Sequence, residues 1–259
     1  MQPRSPKRRT VLGAAMLAPL LPFLPLPTRA APAPAPAPGR SLRIVTTHLP
    51  PLVVENNEAA PGALHELVTE LCKRIARAPA IQFVPWKRAV FLAGGTRATA
   101  IFPLTRLPER ERNFRWLAPL YDENYVFFAQ RGRAFDVRQP ANMTHLRVTL
   151  IRGSTLTAVL TGMGYQHIVE AASVDEVHRF LVAGIADAAL GELSIVRNLL
   201  RSRAALDDFN VSTPVRRTAA WLAGSLDFSE SDAAAFQRAL KEMKADGTYF
   251  AILKRYQLG

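Results

Sequence analysis

The sequence predicts an α/β fold of two units, each on a mostly parallel sheet, joined by a two-strand hinge with a ligand cleft between them. Three observations carry this expectation. From residue 41 onward, short β-rich runs alternate with helical patterns, the order that builds parallel sheets. The 259 residues, 49% of them apolar and 21% charged, suffice for one large domain or two modest ones. The pattern breaks near 130–135 and again near 212–218, so the chain is expected to cross between the units twice.

Taken in order, Leu42-Arg43-Ile44-Val45-Thr46-Thr47 reads as a strand. After Pro61-Gly62, the residues Leu64, Leu67, Val68, Leu71, Cys72 and Ile75 fall on one face of a helix. Ile81 to Val84 is a second strand, Trp86 to Ala93 a short helix closed by Gly94-Gly95, and Ala98 to Leu104 a third strand. Tyr125 to Ala129 reads as a fourth. In the second unit, starting near Arg133, Leu146 to Ile151 is a strand running into Gly153-Ser154-Thr155 and an apolar helix to Met163. Ser173-Val174-Asp175-Glu176 is a capping box opening a helix that ends at Gly184. Asp187 to Leu190 is a strand leading to Glu192 and another helix. Ala219 to Ala223 is a strand, Ser231 to Lys244 a helix, and Asp246-Gly247-Thr248 turns into a terminal helix.

Residues 1–30 read as an export signal. Arg4 to Arg9 form a basic start, and the apolar stretch from Val11 to Leu26 is too short and too broken by Pro19, Pro22 and Pro25 for a stable membrane helix. Thr28-Arg29-Ala30 suits cleavage after Ala30. Arg8-Arg9-Thr10-Val11-Leu12 also fits a twin-arginine signal, without its flanking Ser and Lys. Residues 31–38 alternate Ala and Pro, and 31–40 reads as an extended linker. With no later apolar run of membrane length, the mature protein is expected to be soluble and periplasmic.

The net charge of +12 divides unevenly. Residues 1–30 hold five basic residues and no acid, which leaves 28 basic and 21 acidic residues, or +7, scattered over the rest. No nucleic-acid motif or aromatic-interleaved basic patch accompanies that charge, so a solvated basic surface is the better reading. The single cysteine, Cys72, forms no internal disulfide, and its place on an apolar helix face points to a buried inert thiol. His48, His65, His145, His167 and His178 show no metal spacing, and nucleophile-elbow, phosphate-loop and zinc-protease motifs are missing. No cofactor, metal or catalytic group is expected.

Ligands of parallel sheets bind beyond the carboxyl ends of strands, where helix N-termini offer backbone N–H groups. The segments after the strands therefore supply the candidates. In Thr105-Arg106-Leu107-Pro108-Glu109-Arg110-Glu111, an arginine could clamp a carboxylate with a threonine hydroxyl beside it; spacing alone favours a solvated charged loop. Ser154 and Thr155 could grip an anion or simply cap a helix. Glu192 could take a ligand ammonium or sit at the surface. Trp86 could stack on a ligand or fill core.

The pieces together resemble family 3 periplasmic solute-binding proteins, the polar amino-acid receptors of ABC importers. The resemblance rests on Gly62 to Ile75 with its Glu70-Leu71-Cys72-Lys73-Arg74-Ile75 ending, on Pro108-Glu109-Arg110-Glu111 followed by Phe114 and Pro119-Leu120-Tyr121, and on Asp246-Gly247-Thr248-Tyr249 with Lys254-Arg255-Tyr256. It covers residue 41 to the end. It implies a periplasmic binding protein-like fold, with lobe 1 at 41–131 and 217–259 and lobe 2 at 132–216. It further implies that Arg110, Thr105, Ser154 and Thr155 hold a ligand carboxylate, that Glu192 takes its amino group, and that Trp86 and Leu49 contact the rest. Leu49 stands where many members place an aromatic, and Thr47 where binders of basic amino acids often keep an aspartate, which speaks against a lysine- or arginine-type ligand. The expected function is capture of an amino acid or related small carboxylate for an ABC-type permease by a monomeric protein that is not an enzyme. The alternatives are a cyclohexadienyl or arogenate dehydratase-like enzyme on the same scaffold and a ligand-binding sensor receptor.

Overall fold

A computed structural model describes residues 40–258; the expected export signal and nearly all of the Ala/Pro linker lie outside the described residues. Their elements are β1 (Arg40–Thr46), α1 (Ala63–Arg74), β2 (Arg77–Phe83), α2 (Trp86–Gly95), β3 (Thr99–Thr105), a 3-10 turn (Pro108–Arg110) and β4 (Arg115–Gln130). There follow β5 (Arg147–Ile151), α3 (Leu156–Gly162), β6 (His167–Ala171), α4 (Val174–Val182), β7 (Ala188–Glu192) and α5 (Leu193–Ser202). The chain ends with β8 (Phe209–Val211), β9 (Arg216–Gly224), α6 (Glu230–Ala245) and α7 (Thr248–Arg255).

The strands run in the order β2-β1-β3-β9-β4-β7-β5-β6, with β8 added to β4. The outer groups are parallel: β1 pairs with β2 and β3, and β5 pairs with β6 and β7. Between them, β9 and β4 run antiparallel and join the two halves into one hydrogen-bonded path. β4 faces β9 from Arg115 to Tyr125 and takes β7 as a partner from Tyr125 to Phe128. This is the α/β, two-lobed architecture expected from the sequence, with two long strands passing between its halves.

The core divides accordingly. On one side Leu64, Leu67, Val68 and Leu71 of α1 pack with Ile44, Phe102, Leu117, Phe236 and Met243, and on the other Phe127, Val148, Leu150, Leu160 and Leu190 pack together. Fully burying each such side chain stabilises the fold by roughly 1.5–3 kcal/mol. A small cluster of Leu49, Val174 and Leu199 draws on both sides. Gly62, at the start of α1, has φ +100°, and a Cβ there would meet the Leu52 carbonyl oxygen at 2.6 Å, so the turn admits only glycine.

The local differences from expectation have physical causes. The strand read as Tyr125 to Ala129 spans sixteen residues, because Pro119 sits at a register shift and the polar Asp122-Glu123-Asn124 pairs with β9. β2 begins at Arg77, four residues early, and alternates half-buried with exposed side chains as an edge strand does. β6 and β8 escaped notice, being short and placed on edges. In the capping box, Ser173 Oγ accepts the Glu176 N–H at 3.2 Å, but the Glu176 carboxylate reaches the Ala172 N–H, one residue before the cap.

Candidate functional site

The carboxyl ends of β3, β5 and β7, with the loop after β1 and the start of α2, surround one cavity of about 100 Å³. All seven residues singled out from the sequence line it: Leu49, Trp86, Thr105, Arg110, Ser154, Thr155 and Glu192. Its other charged lining group is Glu123.

β3 ends at Thr105, and the chain then turns through Pro108–Arg110, the proline fixing the first position of the turn. The two arginines of this loop have different fates. Arg106 stacks over the rings of Trp116 (5.2 Å) and Trp221 (4.7 Å) and grips Glu111 with two bonds of 2.7 and 3.0 Å. Its charge is fully engaged in holding the loop. Arg110 is 7% exposed and donates from Nη1 to the Thr105 carbonyl at 3.2 Å. Burial lowers its ordinary pKa without removing the charge.

Thr105 Oγ1 donates to Glu123 Oε2 at 2.9 Å and lies 3.2 Å from the Tyr125 hydroxyl. Glu123 is 5% exposed on β4, and burial pushes its carboxyl up to about 7; the Thr105 bond opposes that rise and the charge of Glu192 adds to it. Tyr125 is driven well above its usual value, first by burial and then by Glu123.

Glu192 closes β7 and caps α5: its Oε2 accepts the N–H groups of Ser194 (2.8 Å) and Ile195 (3.1 Å). Its Oε1 is buried with no hydrogen-bond partner among the described residues. The N–H groups of Ile195, Ser194 and Asn124 all favour its charged form. Desolvation outweighs all of these bonds and pushes the Glu192 carboxyl up to about 7. Beside it, the Tyr121 hydroxyl meets Ser194 Oγ at 2.6 Å.

On the facing side, Ser154 Oγ, one residue before the N-cap of α3, accepts the Leu156 N–H at 3.2 Å, while the hydroxyl of Thr155 at the cap makes no cap bond. Gly153 has φ +76°, and a Cβ there would come within 3.0 Å of Lys87 Cβ; glycine lets this loop approach α2 closely. Leu49, 9% exposed, closes the cavity against Val174 and Leu199, and the remaining lining is largely apolar.

Glu123 and Tyr125 were not singled out from the sequence. Their signal is a single acid spaced by two from Tyr121 and Tyr125, which puts all three on one face of a strand. Outside the cleft, Cys72 is buried and its thiol is pushed up to about 12 by that burial.

A family model for bacterial extracellular solute-binding proteins, family 3, matches residues 42–259. No curated protein sequence matches the chain. Among solved structures, a mutant of ArgBP from T. maritima is similar at 16% identity and a TM-score of 0.75, covering 85% of this chain and 96% of its own. A histidine kinase sensor domain with similarity to periplasmic binding proteins reaches 0.77 at 17% identity, covering 85% and 96%. The GluR0 ligand-binding core from Nostoc punctiforme, in complex with (L)-glutamate, reaches 0.74 at 16%, covering 84% and 100%. At these identities the likeness is one of fold.

Proposed function

The chain belongs to the bacterial extracellular solute-binding proteins of family 3, and we propose that it captures an amino acid or related small carboxylate for an ABC-type importer. The observation that carries this reading is the charge arrangement of the cleft. Arg110 lies at one cavity with two acids, Glu123 and Glu192, and makes no ion pair with either among the described residues. A buried charge left unpaired is costly, and a ligand bearing both a carboxylate and an ammonium would relieve both signs at once. In this reading Arg110, Thr105, Ser154 and Thr155 surround the carboxylate, Glu192 Oε1 accepts from the ammonium, and Trp86 and Leu49 cover the remainder.

The proposed lobes are 41–131 with 217–259, and 132–216, closing on one another about β4 and β9, with closure read by the permease. Residues 1–30 would direct export to the periplasm, where the protein would act as a monomer without catalysis. The similarity to the GluR0 ligand-binding core in complex with (L)-glutamate supports the ligand class. Calorimetric titration of the protein with the common amino acids tests it: binding in the micromolar range or tighter is expected, with loss in Arg110→Ala. Unchanged affinity in that variant would sink the site assignment.

One observation favours a second reading. Carboxyls held near 7 are part protonated at neutral pH, as a general acid for loss of water must be. A dehydratase acting on prephenate or arogenate would show turnover by ultraviolet absorbance; none is expected. The similarity to a histidine kinase sensor domain would instead fit delivery of the closed form to a signalling partner.

A further inference from the structure

Resting on that reading of the cleft, we propose that Glu123 is a second ligand-binding acid, which with Glu192 forms a two-carboxylate seat for a primary ammonium on a ligand that is otherwise compact and apolar. Strand register brings the two acids together. Tyr125 lies directly opposite Glu192 in the β4–β7 pairing, and Glu123 is two residues from Tyr125 on the same face. Glu123 and Glu192 are therefore diagonal neighbours across the ladder, a separation of about 7–8 Å between Cα atoms. Both side chains line the cavity, at 5% and 4% exposure. Glu123 is held by Thr105 on β3, and Glu192 by the first N–H groups of α5, so each acid is fixed from a different element.

The charged and titratable groups around the pair are Arg110, Tyr121 and Tyr125. Arg110 is the one cation of the lining, and it forms no ion pair with either acid among the described residues. An ammonium set between the two part-protonated carboxyls would favour the charged form of both, so that each becomes an acceptor for it. A primary ammonium carries three N–H donors and can serve both acids at once; an N,N-dimethylated amine carries one and cannot. Glu192 Oε1, buried and unpartnered among the described residues, is one waiting acceptor.

The rest of the lining sets the ligand's other end. Leu49, Leu52, Phe128, Ile151, Val174 and Leu199 surround it, and no further charged side chain lies in the lining to meet a distal charge. An aliphatic side chain fits these surroundings, and a guanidinium does not.

The test is calorimetry at pH 7 on the full chain, with L-alanine, L-valine, L-leucine, L-arginine, isovalerate (valine without its ammonium) and N,N-dimethyl-L-valine as probes. The wild type should bind an aliphatic amino acid at least tenfold more tightly than L-arginine or the dimethylated analogue. Glu123→Gln should weaken valine at least tenfold while leaving isovalerate unchanged, with a cooperative melt showing that the variant is folded. Equal loss of valine and isovalerate, or loss of neither, would overturn the role of Glu123. Should that variant not fold, wild-type affinity for dimethylvaline equal to that for valine overturns the seat. Binding of isovalerate with no binding of any amine probe overturns the seat and leaves the carboxylate reading intact; binding of nothing overturns both.

Discussion

The two ends of β7 each carry an acid, and the two acids are in opposite condition. Just before the strand, Asp187 accepts the Arg147 backbone N–H at 2.9 Å and its guanidinium at 2.8 and 3.1 Å, which holds its carboxyl below the usual range. At the far end, Glu192 is buried with one oxygen unpartnered among the described residues, and its carboxyl is pushed up. β3 repeats the contrast. Beside its start, Asp227 from the turn after β9 accepts the Ala98 N–H at 2.9 Å and the Ser225 hydroxyl at 2.5 Å; beyond its end, Arg110 is buried against one backbone carbonyl. Charge at the strand starts holds the fold together, while charge at the strand ends has been taken from water and left open. Folding tolerates that cost only where the rest of the core is large enough to offset it.

Breaking the open end should affect binding most. Arg110→Met is expected to weaken amino-acid binding by about 3 kcal/mol, over a hundredfold, since a buried ligand carboxylate would lose its partner. Its melting midpoint should hold or rise, and calorimetry beside a thermal melt separates the two effects.

The same contrast gives a pH dependence of unusual sign. Glu123 and Glu192 keep protons in the folded state at a pH where unfolded glutamates, near 4.3, have released them. Their contribution to stability is present at low pH and is lost as pH rises toward 7. Asp187 and Asp227, held low, act the other way and only in more acid solution. The ligand-free midpoint should therefore fall by several degrees between pH 5 and 8, and Glu192→Gln should flatten that slope. A flat or rising wild-type curve in this window would remove the burial argument for both acids.

At the satisfied end, Asp187→Asn should cost about 1 kcal/mol, a drop of about 2–4 °C, because the pair is partly exposed. Ligand affinity should stay within about twofold. The smallest effect is expected of Arg106→Lys, which keeps the charge but loses the planar stacking on Trp116 and Trp221 and the paired bonds to Glu111. A stability loss under about 1 kcal/mol and a modest fall in affinity through the Arg110 turn would fit.

The parts of this picture legible in the sequence are those with a periodic apolar signal. The face of α1 is one: Leu64, Leu67, Val68, Leu71 and Cys72 are all buried, and the helix stops at Arg74. Glu192 could be found because it closes a short apolar strand. β4 could not be read whole, since the pattern Asp122-Glu123-Asn124 has the composition of a turn and only its pairing with β9 makes it strand. Glu123 was hidden in that same run. The engagement of Arg106 by two tryptophans far apart in sequence was equally invisible, so spacing alone could not tell it from Arg110, and only the resemblance carried by Pro108-Glu109-Arg110-Glu111 did.

The central claim is that the open charges of the cleft await a ligand that complements them. A thermal-shift screen of the full chain and Arg110→Met against amino acids, polyamines and organic acids tests it most directly. A ligand at a hundred times its dissociation constant stabilises by about 2.7 kcal/mol. In a chain of this size, that should raise the midpoint by about 5–10 °C. The account expects such a shift with aliphatic α-amino acids in the wild type and its loss in Arg110→Met; an equal shift in both proteins, or a shift with no ligand of the panel, would contradict it.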